Sequence, residues 1–318
     1  MKVVDLFCGC GGLSLGFEQA GFNVLCSYDA WDSAISCYKL NFKHPVVKTD
    51  LSDVRAVSKE IAAQAPDIII GGPPCQDFSH AGKRSEGDRA SLTKAYAEII
   101  RNVRPEWFLM ENVDRAQNSG AYAAAREIFK SSGYGLTERV LDASFCGVPQ
   151  KRKRFFCIGK RGENDEFLMP FLEAGLSEGP MTVRDYLGDE FGLTHYYRHP
   201  RNYSRRGIFS IDEPAPTVRG VNRPLPSGYT GHPGDPVPVA KIRPLTTIER
   251  ARLQTFPKRF QWKGTKTDLE QLIGNAVPVK LAKYVAAAIL SYASAGSVTK
   301  INRRVHLLTK VSRKVAVT

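Results

Sequence analysis

The amino-acid sequence predicts a doubly wound α/β domain with a mostly parallel sheet, joined to a smaller domain of irregular or β-containing structure. Short apolar runs alternate with stretches of helical periodicity over roughly the first 160 residues. Alternation at this spacing favours parallel strands that are covered on both faces by crossover helices. After about residue 163 the chain becomes rich in Pro, Gly, Tyr and Arg, and helical periodicity returns only near its end.

The predicted strands and helices follow this alternation along the chain. Apolar runs that end in turn residues predict five strands, at Val3–Phe7, Asn23–Tyr28, Val46–Lys48, Asp67–Ile70 and Trp107–Met110. Helical periodicity predicts five helices, at Leu13–Ala20, Trp31–Leu40, Ala90–Val103, Thr246–Leu253 and Val279–Ser291. Gly21 stands where the first helix would end, a position that glycine often takes.

Composition divides the 318-residue chain into four parts. Residues 1–165 form the predicted α/β domain, and residues 180–242 form the predicted smaller domain. Residues 243–293 return to the first domain, and residues 296–318 form a basic tail with six Lys or Arg and no Asp or Glu. A chain of this length exceeds what one hydrophobic core usually holds, which supports two domains. The tail is interpreted as a solvated segment.

Charge and cysteine usage limit the class of protein. A formal net charge of +13 and a pI of 9.4 favour a polyanionic partner, because each Lys or Arg at a phosphate releases a counterion. The seven cysteines are scattered without a C-x-x-C pair, so neither a metal site nor disulfides are expected. No apolar run approaches the roughly 20 residues that span a bilayer, and the first strand leaves no room for a signal peptide. We therefore expect a cytoplasmic protein with reduced thiols.

A glycine-rich turn, DLFCGCGGL at residues 5–13, follows the first strand. Its spacing is not G-x-G-x-x-G and no P-loop is present, so neither a dinucleotide nor a nucleoside triphosphate is favoured. Asp29 and Asp50 close the next two strands at the edge where such sheets bind ligands. They are placed to accept hydrogen bonds from the ribose and adenine of an adenosine, with Ala30 or Trp31 against the adenine. Each acid also fits a surface carboxylate or a helix cap.

A second candidate site follows the fourth strand, in the segment GGPPCQDFS at residues 71–79. The two prolines fix the backbone and present Cys75 at the same edge, unlike a buried packing cysteine. Glu111 ends the next strand, where partial burial would raise the pKa of its carboxyl and let it donate a proton. Arg152 and Arg154, two residues apart on one strand face, form a candidate clamp for an anion or carbonyl. An inert cysteine, a helix-capping acid and an exposed basic run are the alternative interpretations.

Taken together, these segments resemble the cytosine-5 DNA methyltransferases. The resemblance rests on the ordered segments DLFCGCGGLSLGF, GGPPCQDFS, ENV, QKRKRFF, RPLTTIERARLQTFP and QLIGNAVPVKLA, which cover most of the chain. It implies a Rossmann-like methyltransferase domain and a target-recognition domain at residues 180–242. It also implies S-adenosyl-L-methionine as cofactor, with S-adenosyl-L-homocysteine as product. Asp29 stands where the family usually has Glu, and Trp31 where an acid is common.

The resemblance also implies roles for individual residues. Cys75 would be the nucleophile that attacks carbon 6 of cytosine, and Glu111 would bind N3 and N4 of the ring. Arg154 would reach O2, and Arg152 would support the site. The residues implied around the cofactor are Phe7, Gly9, Gly12, Leu13, Asp29, Ala30, Asp50, Leu51, Pro74, Leu92, Asn275 and Ala276.

Duplex DNA is the expected partner, and its target cytosine would have to leave the helix to be reached. Residues 76–89 contain two candidate glycine hinges and are predicted to form a lid that closes on DNA, with an ordinary surface loop as the alternative. Pro216-Thr217-Val218 looks like the Thr-aliphatic element of target-recognition domains. The residues expected at the DNA are Gln76, Ser79, Lys83, Arg84, Arg89, Thr217, Arg219 and Arg223.

The leading hypothesis is therefore a monomeric bacterial enzyme that modifies one DNA sequence within a restriction system, with a separate cognate endonuclease as a candidate partner. The alternatives are a tRNA cytosine methyltransferase, a catalytically silent DNA-binding regulator and a dinucleotide-dependent oxidoreductase. The Pro-, Gly- and Arg-rich region before Arg243 favours DNA over tRNA. Intact Cys75 and Glu111 argue against a silent regulator, and the glycine spacing argues against an oxidoreductase.

Overall fold

The computed structural model describes residues 1–74, 86–200, 202, 204–240 and 242–295, with only the backbone described for residues 86–91. The strands in these ranges are β1 Lys2–Leu6, β2 Asn23–Asp29, β3 Val46–Lys48, β4 Ile68–Gly71, β5 Trp107–Val113, β6 Tyr134–Asp142, β7 Gln150–Lys151, β8 Lys153–Arg161, β9 His195–Tyr197, β10 Ile208–Ser210 and β11 Ala215–Pro216.

Helices connect and cover these strands. They are α1 Gly12–Ala20, α2 Asp32–Lys39, α3 Val54–Ala63, α4 Glu86–Val103, α5 Gly120–Ser131, α6 Met169–Glu173, α7 Val183–Leu187, α8 Thr247–Leu253, α9 Lys266–Asn275 and α10 at residues 279–295. Short 3-10 turns lie at Asp114–Asn118 and Ala143–Phe145.

Seven strands form the main sheet, in the order β3-β2-β1-β4-β5-β8-β6. All neighbouring pairs from β3 to β5 are parallel, whereas β8 runs antiparallel to both β5 and β6. The chain leaves β1 in one direction to form β2 and β3, and then returns to form β4 and β5 on the other side. Such a reversal creates a crevice at the carboxyl ends of the central strands. The predicted doubly wound, mostly parallel α/β sheet is confirmed.

Alternation along the central strands builds a core on each face of the sheet. In β4, Ile68 and Ile70 pack on one face with α1 and α10, while Ile69 packs on the other with α3, α4 and α5. These three side chains are fully buried. Burial on both faces explains why this strand reads as a continuous apolar run, and each such side chain contributes about 1.5–3 kcal/mol to stability.

Several elements were not predicted, or end elsewhere than predicted. Helix α3 carries buried Val57 and Ile61, spaced four residues apart, and α5 carries buried Ala125 and Phe129 at the same spacing. Neither helix was predicted, although this periodicity is a local signal of an amphipathic helix. Strand β5 continues past Met110 because its last three residues pair with the antiparallel strand β8.

A third core cluster joins residues 180–242 to the rest of the fold. Val183 of α7 and Tyr196 of β9 pack in one cluster with Tyr38 of α2, Ala251 of α8 and Leu272 of α9. Strands β9 and β10 form a two-stranded antiparallel sheet, and β11 pairs in parallel with β7. The region beyond the main sheet is thus fastened to α2, α8 and α9 by apolar side chains.

The stretch Lys266–Ala295 is apolar and long enough, by length and composition alone, to cross a membrane, which differs from the sequence expectation. Its best window has a mean hydropathy of 1.3 and is 67% buried inside the fold. Core helices of soluble proteins pass the same test, and α10 supplies Leu281, Val285 and Ile289 to the core. The apolar character of this stretch is therefore explained by packing against the sheet.

Helix α1 touches the start of α10 through glycine. A Cβ atom built on Gly16 would lie 2.4 Å from the Ala282 Cβ and 2.6 Å from the Val279 carbonyl oxygen. Both distances are far shorter than van der Waals contact, so only glycine allows the two segments to approach this closely.

We predict that Gly16→Ala lowers the free energy of unfolding by about 1–3 kcal/mol, because the added methyl forces α1 and α10 apart. Urea denaturation would measure this change. Gly120→Ala is the matched control, since a Cβ there meets no atom within 4 Å. Equal stability of Gly16→Ala and the parent would show that the close approach does not constrain the fold.

Candidate active site

The candidate site lies along the edge where β1, β2, β4 and β5 end. Because β8 is antiparallel to β5, its first residues meet the last residues of β5, and Arg154 pairs with Val113 in the register. The sheet thereby brings together the glycine-rich turn, the segment after β4, Glu111 and Arg154 at one edge.

The glycine-rich turn holds the Asp29 carboxylate in place. Phe7, Gly9 and Gly11 have left-handed φ values of 58°, 55° and 93°. The Gly9 amide donates to Asp29 Oδ2 at 2.8 Å, and the Trp31 amide donates to Oδ1 at 2.9 Å. Burial raises the pKa of Asp29, and these amide hydrogen bonds oppose the rise. The turn and the residues after β2 therefore hold the Asp29 carboxylate in one orientation.

The ends of β2 and β3 are joined, which places Asp50 near Asp29. The Thr49 amide donates to the Asp29 carbonyl at 3.0 Å. Asp50 is exposed, and its Oδ1 accepts from the Ser52 amide at 2.9 Å. Leu51 is buried and Ala30 is exposed. The edge therefore presents two carboxylates on neighbouring strands.

The turn after α9 forms the opposite wall of this edge. A Cβ on Gly12 would lie 2.2 Å from the Val277 carbonyl oxygen, so the turn lies directly against the start of α1. Asn275 is exposed and Ala276 is partly buried. Leu13 is 4% exposed and packs in the core under the turn.

Two further predicted cofactor residues lie on the segments that follow β4. Pro74 is exposed at the last described residue before the segment that carries Cys75. Leu92 is partly buried on α4. Cys75, Gln76, Ser79, Lys83 and Arg84 lie outside the described residues, as does the side chain of Arg89, and so does most of the predicted lid.

A buried hydrogen-bonded chain under the glycine-rich turn was not predicted. Ser14 Oγ donates to Asp5 Oδ2 at 2.6 Å, and the Tyr38 hydroxyl donates to Ser14 Oγ at 2.6 Å. The Tyr38 hydroxyl also lies 2.7 Å from His44 Nε2. Asp5 is fully buried, and desolvation raises its pKa to about 7. The residues of this hydrogen-bonded network are not neighbours in the sequence, so no local sequence pattern predicts the network.

Glu111 and Arg154 form a buried ion pair at the end of β5. Arg154 Nε lies 3.0 Å from Glu111 Oε1, and the two side chains are 13% and 9% exposed. Desolvation raises the pKa of Glu111, while Arg154 and Arg152 oppose the rise. Glu111 Oε1 accepts no hydrogen bond of good geometry from the described part of the chain. A buried oxygen in that state favours a donor supplied by a ligand.

Asn112 fastens the turn after β4 to the end of β5. Its Nδ2 donates to the Pro73 carbonyl at 3.0 Å, and its Oδ1 accepts from the Val113 amide at 2.8 Å. Asn112 is 6% exposed. Asn112 lies in the segment ENV, but no role was predicted for it. A proline-rich turn has backbone carbonyls but few N–H donors. A buried amide side chain beside such a turn is therefore the signal that could have predicted this hydrogen bond.

Arg152 and Arg154 have different partners, although they are only two residues apart. Arg152 is 1% exposed, and its guanidinium donates to the carbonyls of Val218, Gly274 and Ala276 at 2.9, 2.8 and 3.1 Å. Burial lowers the pKa of Arg152. Arg152 therefore joins the start of β8 to the turn after α9 and to the segment that follows β11.

The predicted DNA-binding residues near β11 lie on a segment docked against β7. Thr217 Oγ1 donates to the Lys151 carbonyl at 2.7 Å, and Arg198 donates to the Thr217 carbonyl at 2.8 Å. Arg219 donates to the His199 carbonyl. Arg223 is exposed. Arg198, Arg219 and Arg223 border a cavity of about 470 Å³ between this segment, β9 and α8.

A model of C-5 cytosine-specific DNA methylases matches residues 1–291 of the chain. The chain belongs to the C-5 cytosine-specific DNA methylase family. This DNA methylase is 58% identical over 295 residues to the Type II methyltransferase M.HindV of Haemophilus influenzae, covering 92% of the chain and 97% of that relative. It is 51% identical over 293 residues to the Type II methyltransferase M.HgiDI of Herpetosiphon aurantiacus, covering 92% and 95%.

Solved structures share the fold of this DNA methylase. A putative DNA modification methyltransferase encoded within an E. coli prophage matches 92% of the chain and 99% of its own, with a TM-score of 0.68 and 24% identity. The Dnmt2 methyltransferase of S. pombe matches 92% and 98%, with a TM-score of 0.68 and 20% identity. The predicted resemblance and the predicted enzyme class, a DNA (cytosine-5) methyltransferase, are confirmed.

We predict that Glu111→Gln changes how the stability of this DNA methylase depends on pH. The folded-state pKa of Glu111 lies above the ordinary value of 4.5, so the parent loses stability as pH rises from about 4.5 through that pKa. Glutamine cannot ionise. The free energy of unfolding of the variant minus that of the parent should therefore increase over this window.

Urea denaturation at a series of pH values would measure this difference. Glu106→Gln is the matched control for the loss of one carboxylate, because the Glu106 side chain is 58% exposed. A Glu111→Gln difference that stays flat, or falls with rising pH, would contradict the assigned direction of the pKa.

Proposed function

We propose that this DNA methyltransferase transfers a methyl group from S-adenosyl-L-methionine to carbon 5 of a cytosine extruded from one specific duplex sequence, through a covalent bond between Cys75 and carbon 6. The observation that carries the proposal is the buried Glu111–Arg154 pair at the end of β5, fastened by Asn112 to the turn that leads to Cys75. A carboxyl and a guanidinium side by side match the N3, N4 and O2 edge of cytosine.

The glycine-rich edge fits the proposed cofactor. Gly9 has open space where a Cβ would stand, so a ligand can approach the backbone closely. Asp29 would hold the ribose hydroxyls, because two amides already orient its carboxylate. Asp50 and Ala30 would lie near the adenine, and Asn275 would close the opposite wall. The remaining proposed contacts are Phe7, Gly12, Leu13, Leu51, Pro74, Leu92 and Ala276.

The cofactor would supply an electrophilic methyl group on a sulfonium. Cytosine carbon 5 is a weak nucleophile until the Cys75 thiolate adds to carbon 6 and converts the ring into an enamine. Cysteine suits this step because its thiolate is accessible at neutral pH and strongly nucleophilic. After carbon 5 takes the methyl group, a base removes the carbon 5 proton and the thiolate leaves carbon 6, which restores the aromatic ring.

Glu111 and Arg154 would stabilise the charge that develops on the ring as the thiolate adds. Burial favours the protonated form of Glu111, which can share a proton with N3. Its Oε1, which is the ion-pair partner of Arg154, can also accept from the N4 amino group. Arg154 would donate to O2. Arg152 would position Arg154 and the cofactor turn, because its two terminal nitrogens already donate to backbone carbonyls.

Residues 180–242 would act as a target-recognition domain inserted between residues 1–165 and 243–293 of the catalytic domain. Thr217, Arg219 and Arg223 would face the DNA. Residues 76–89, which include Gln76, Ser79, Lys83, Arg84 and Arg89, would close on the duplex while the cytosine is extruded. The formal charge of +13 supports a phosphate-rich partner.

The biological setting follows from the relatives. Type II methyltransferases are the relatives at 58% and 51% identity. We therefore assign this chain to the modification half of a Type II restriction system in the bacterial cytoplasm, acting as a monomer, with a separate cognate endonuclease. Bisulfite sequencing of plasmid DNA from expressing cells tests this function, since protected cytosines should all fall in one sequence context. Absence of protected cytosines would overturn it.

We predict that duplex DNA carrying 5-fluorocytosine at the target position traps the enzyme covalently when methyl donor is present, because the fluorine cannot be removed as a proton. Gel electrophoresis under denaturing conditions and mass spectrometry would place the bond at Cys75. Cys75→Ser should give no adduct. Cys146→Ala, at a buried cysteine that is 5% exposed, is the control and should still be trapped. A full adduct yield with Cys75→Ser would refute covalent catalysis through this residue.

We predict that Asp29→Asn raises the KM for S-adenosyl-L-methionine roughly tenfold while changing kcat little, because Asp29 would bind the ribose equally in the ground and transition states. Steady-state methyl transfer with varied cofactor concentration would measure both constants. Asp32→Asn is the matched control, since its side chain is 76% exposed and pairs with Lys48. An unchanged KM for the cofactor would remove Asp29 from the proposed site.

A further inference from the structure

The segment from Arg219 to Arg223 is held at both of its ends. The Arg219 carbonyl accepts a hydrogen bond from Arg250 on α8. Asn222 Nδ2 donates to the Leu245 carbonyl at 2.8 Å. These two attachments flank Val221, so its backbone has little freedom to move.

Buried contacts support both attachments. A Cβ on Gly274 would lie 2.2 Å from the Gly220 amide nitrogen, so the segment touches the end of α9 backbone to backbone. Arg250 pairs with Glu270, and the two residues are 6% and 4% exposed. Glu270 Oε1 also accepts from Thr247 Oγ1 at 2.7 Å. These polar contacts are shielded from water, which strengthens them.

Val221 lies between these two attachments and lines the same cavity as Arg250 and Asn222. It is 61% exposed, more than the other exposed large hydrophobic side chains in the described ranges, Ile248, Leu40 and Leu176. A single exposed hydrophobic side chain is ordinary on its own. Val221 differs because its backbone is fixed, so the side chain cannot fold back onto the protein.

The surroundings of Val221 are cationic. Val221 lines the cavity of about 470 Å³ together with Arg198, His199, Arg219 and Arg223. Burial and the charges of Arg223 and Arg219 lower the pKa of His199. A cationic surface attracts the phosphate backbone of DNA. DNA bound there would have its base edges next to the apolar side chain of Val221.

We infer that Val221 is a specificity-determining residue that packs against the C5 edge of a pyrimidine in the recognition sequence. The inference rests on the proposed function. In the major groove the C5 position is the apolar feature of a pyrimidine, and apolar side chains read it by contact. Because the Val221 backbone is anchored, the loop would not move to compensate when the pyrimidine loses or gains a C5 methyl group. The contact between Val221 and the pyrimidine would therefore change.

The test pairs Val221→Ala with changes in the DNA. Duplexes with one cognate site would carry a single altered pyrimidine other than the target cytosine, with deoxyuridine in place of thymine or 5-methylcytosine in place of cytosine. At one position the parent should change in kcat/KM by about tenfold, the order expected for one or two buried methyl groups. With Val221→Ala, the response at that position should shrink to about twofold or less, as two methyl groups are absent from the contact.

Leu40→Ala is the matched control, because Leu40 is also exposed, at 42%, and lies at the end of α2. It should keep the parental response at every position. If the parent and Val221→Ala respond alike at all pyrimidines while both methylate DNA, this inference is wrong and the proposed function stands. If the parent methylates no DNA, the proposed function fails and this inference falls with it.

Discussion

The buried guanidinium of Arg152 is the interaction on which the functional edge depends. It donates to carbonyls on the segment after β11 and around the end of α9, while its own backbone lies between β7 and β8. A charge taken out of water is costly unless it keeps its hydrogen bonds. The three segments therefore cannot separate without leaving that charge unsatisfied. One side chain thus keeps the segment after β11, the turn after α9 and the strand that carries Arg154 in a fixed arrangement.

A second constraint is that two opposing effects act on the pKa of Glu111 in the Glu111–Arg154 pair. Burial penalises the charged carboxyl, and the two arginines favour it, with burial the stronger effect. A fold selected for stability alone would fill this position with apolar side chains. The site keeps instead a carboxyl whose pKa is raised by burial, next to a guanidinium. This arrangement suits a ring that gains and loses charge during a reaction.

Much of the fold was predictable because its signals are local. Continuous apolar runs such as Ile68–Ile70 predicted buried parallel strands, and the ordered segments predicted the family. The contacts that tune the site were not predictable, because they join residues distant in the chain. Ser14 and Tyr38 meet under the glycine-rich turn, and Asn112 reaches Pro73. The length of β5 likewise depends on its antiparallel partner, which no property of β5 itself reveals.

The anchoring of the segment around Gly220 bears on how such a protein can change over evolutionary time. A Cβ on Gly274 would lie 2.2 Å from the Gly220 amide nitrogen, so position 274 accepts no larger residue without moving the segment that contains Gly220. The neighbouring position 221 meets no such restriction, because its side chain extends into solvent. Substitutions can therefore accumulate at position 221 while Gly274 stays constant. Under the role inferred for Val221, new sequence preferences would arise there one residue at a time, with the proposed chemistry of methyl transfer left intact.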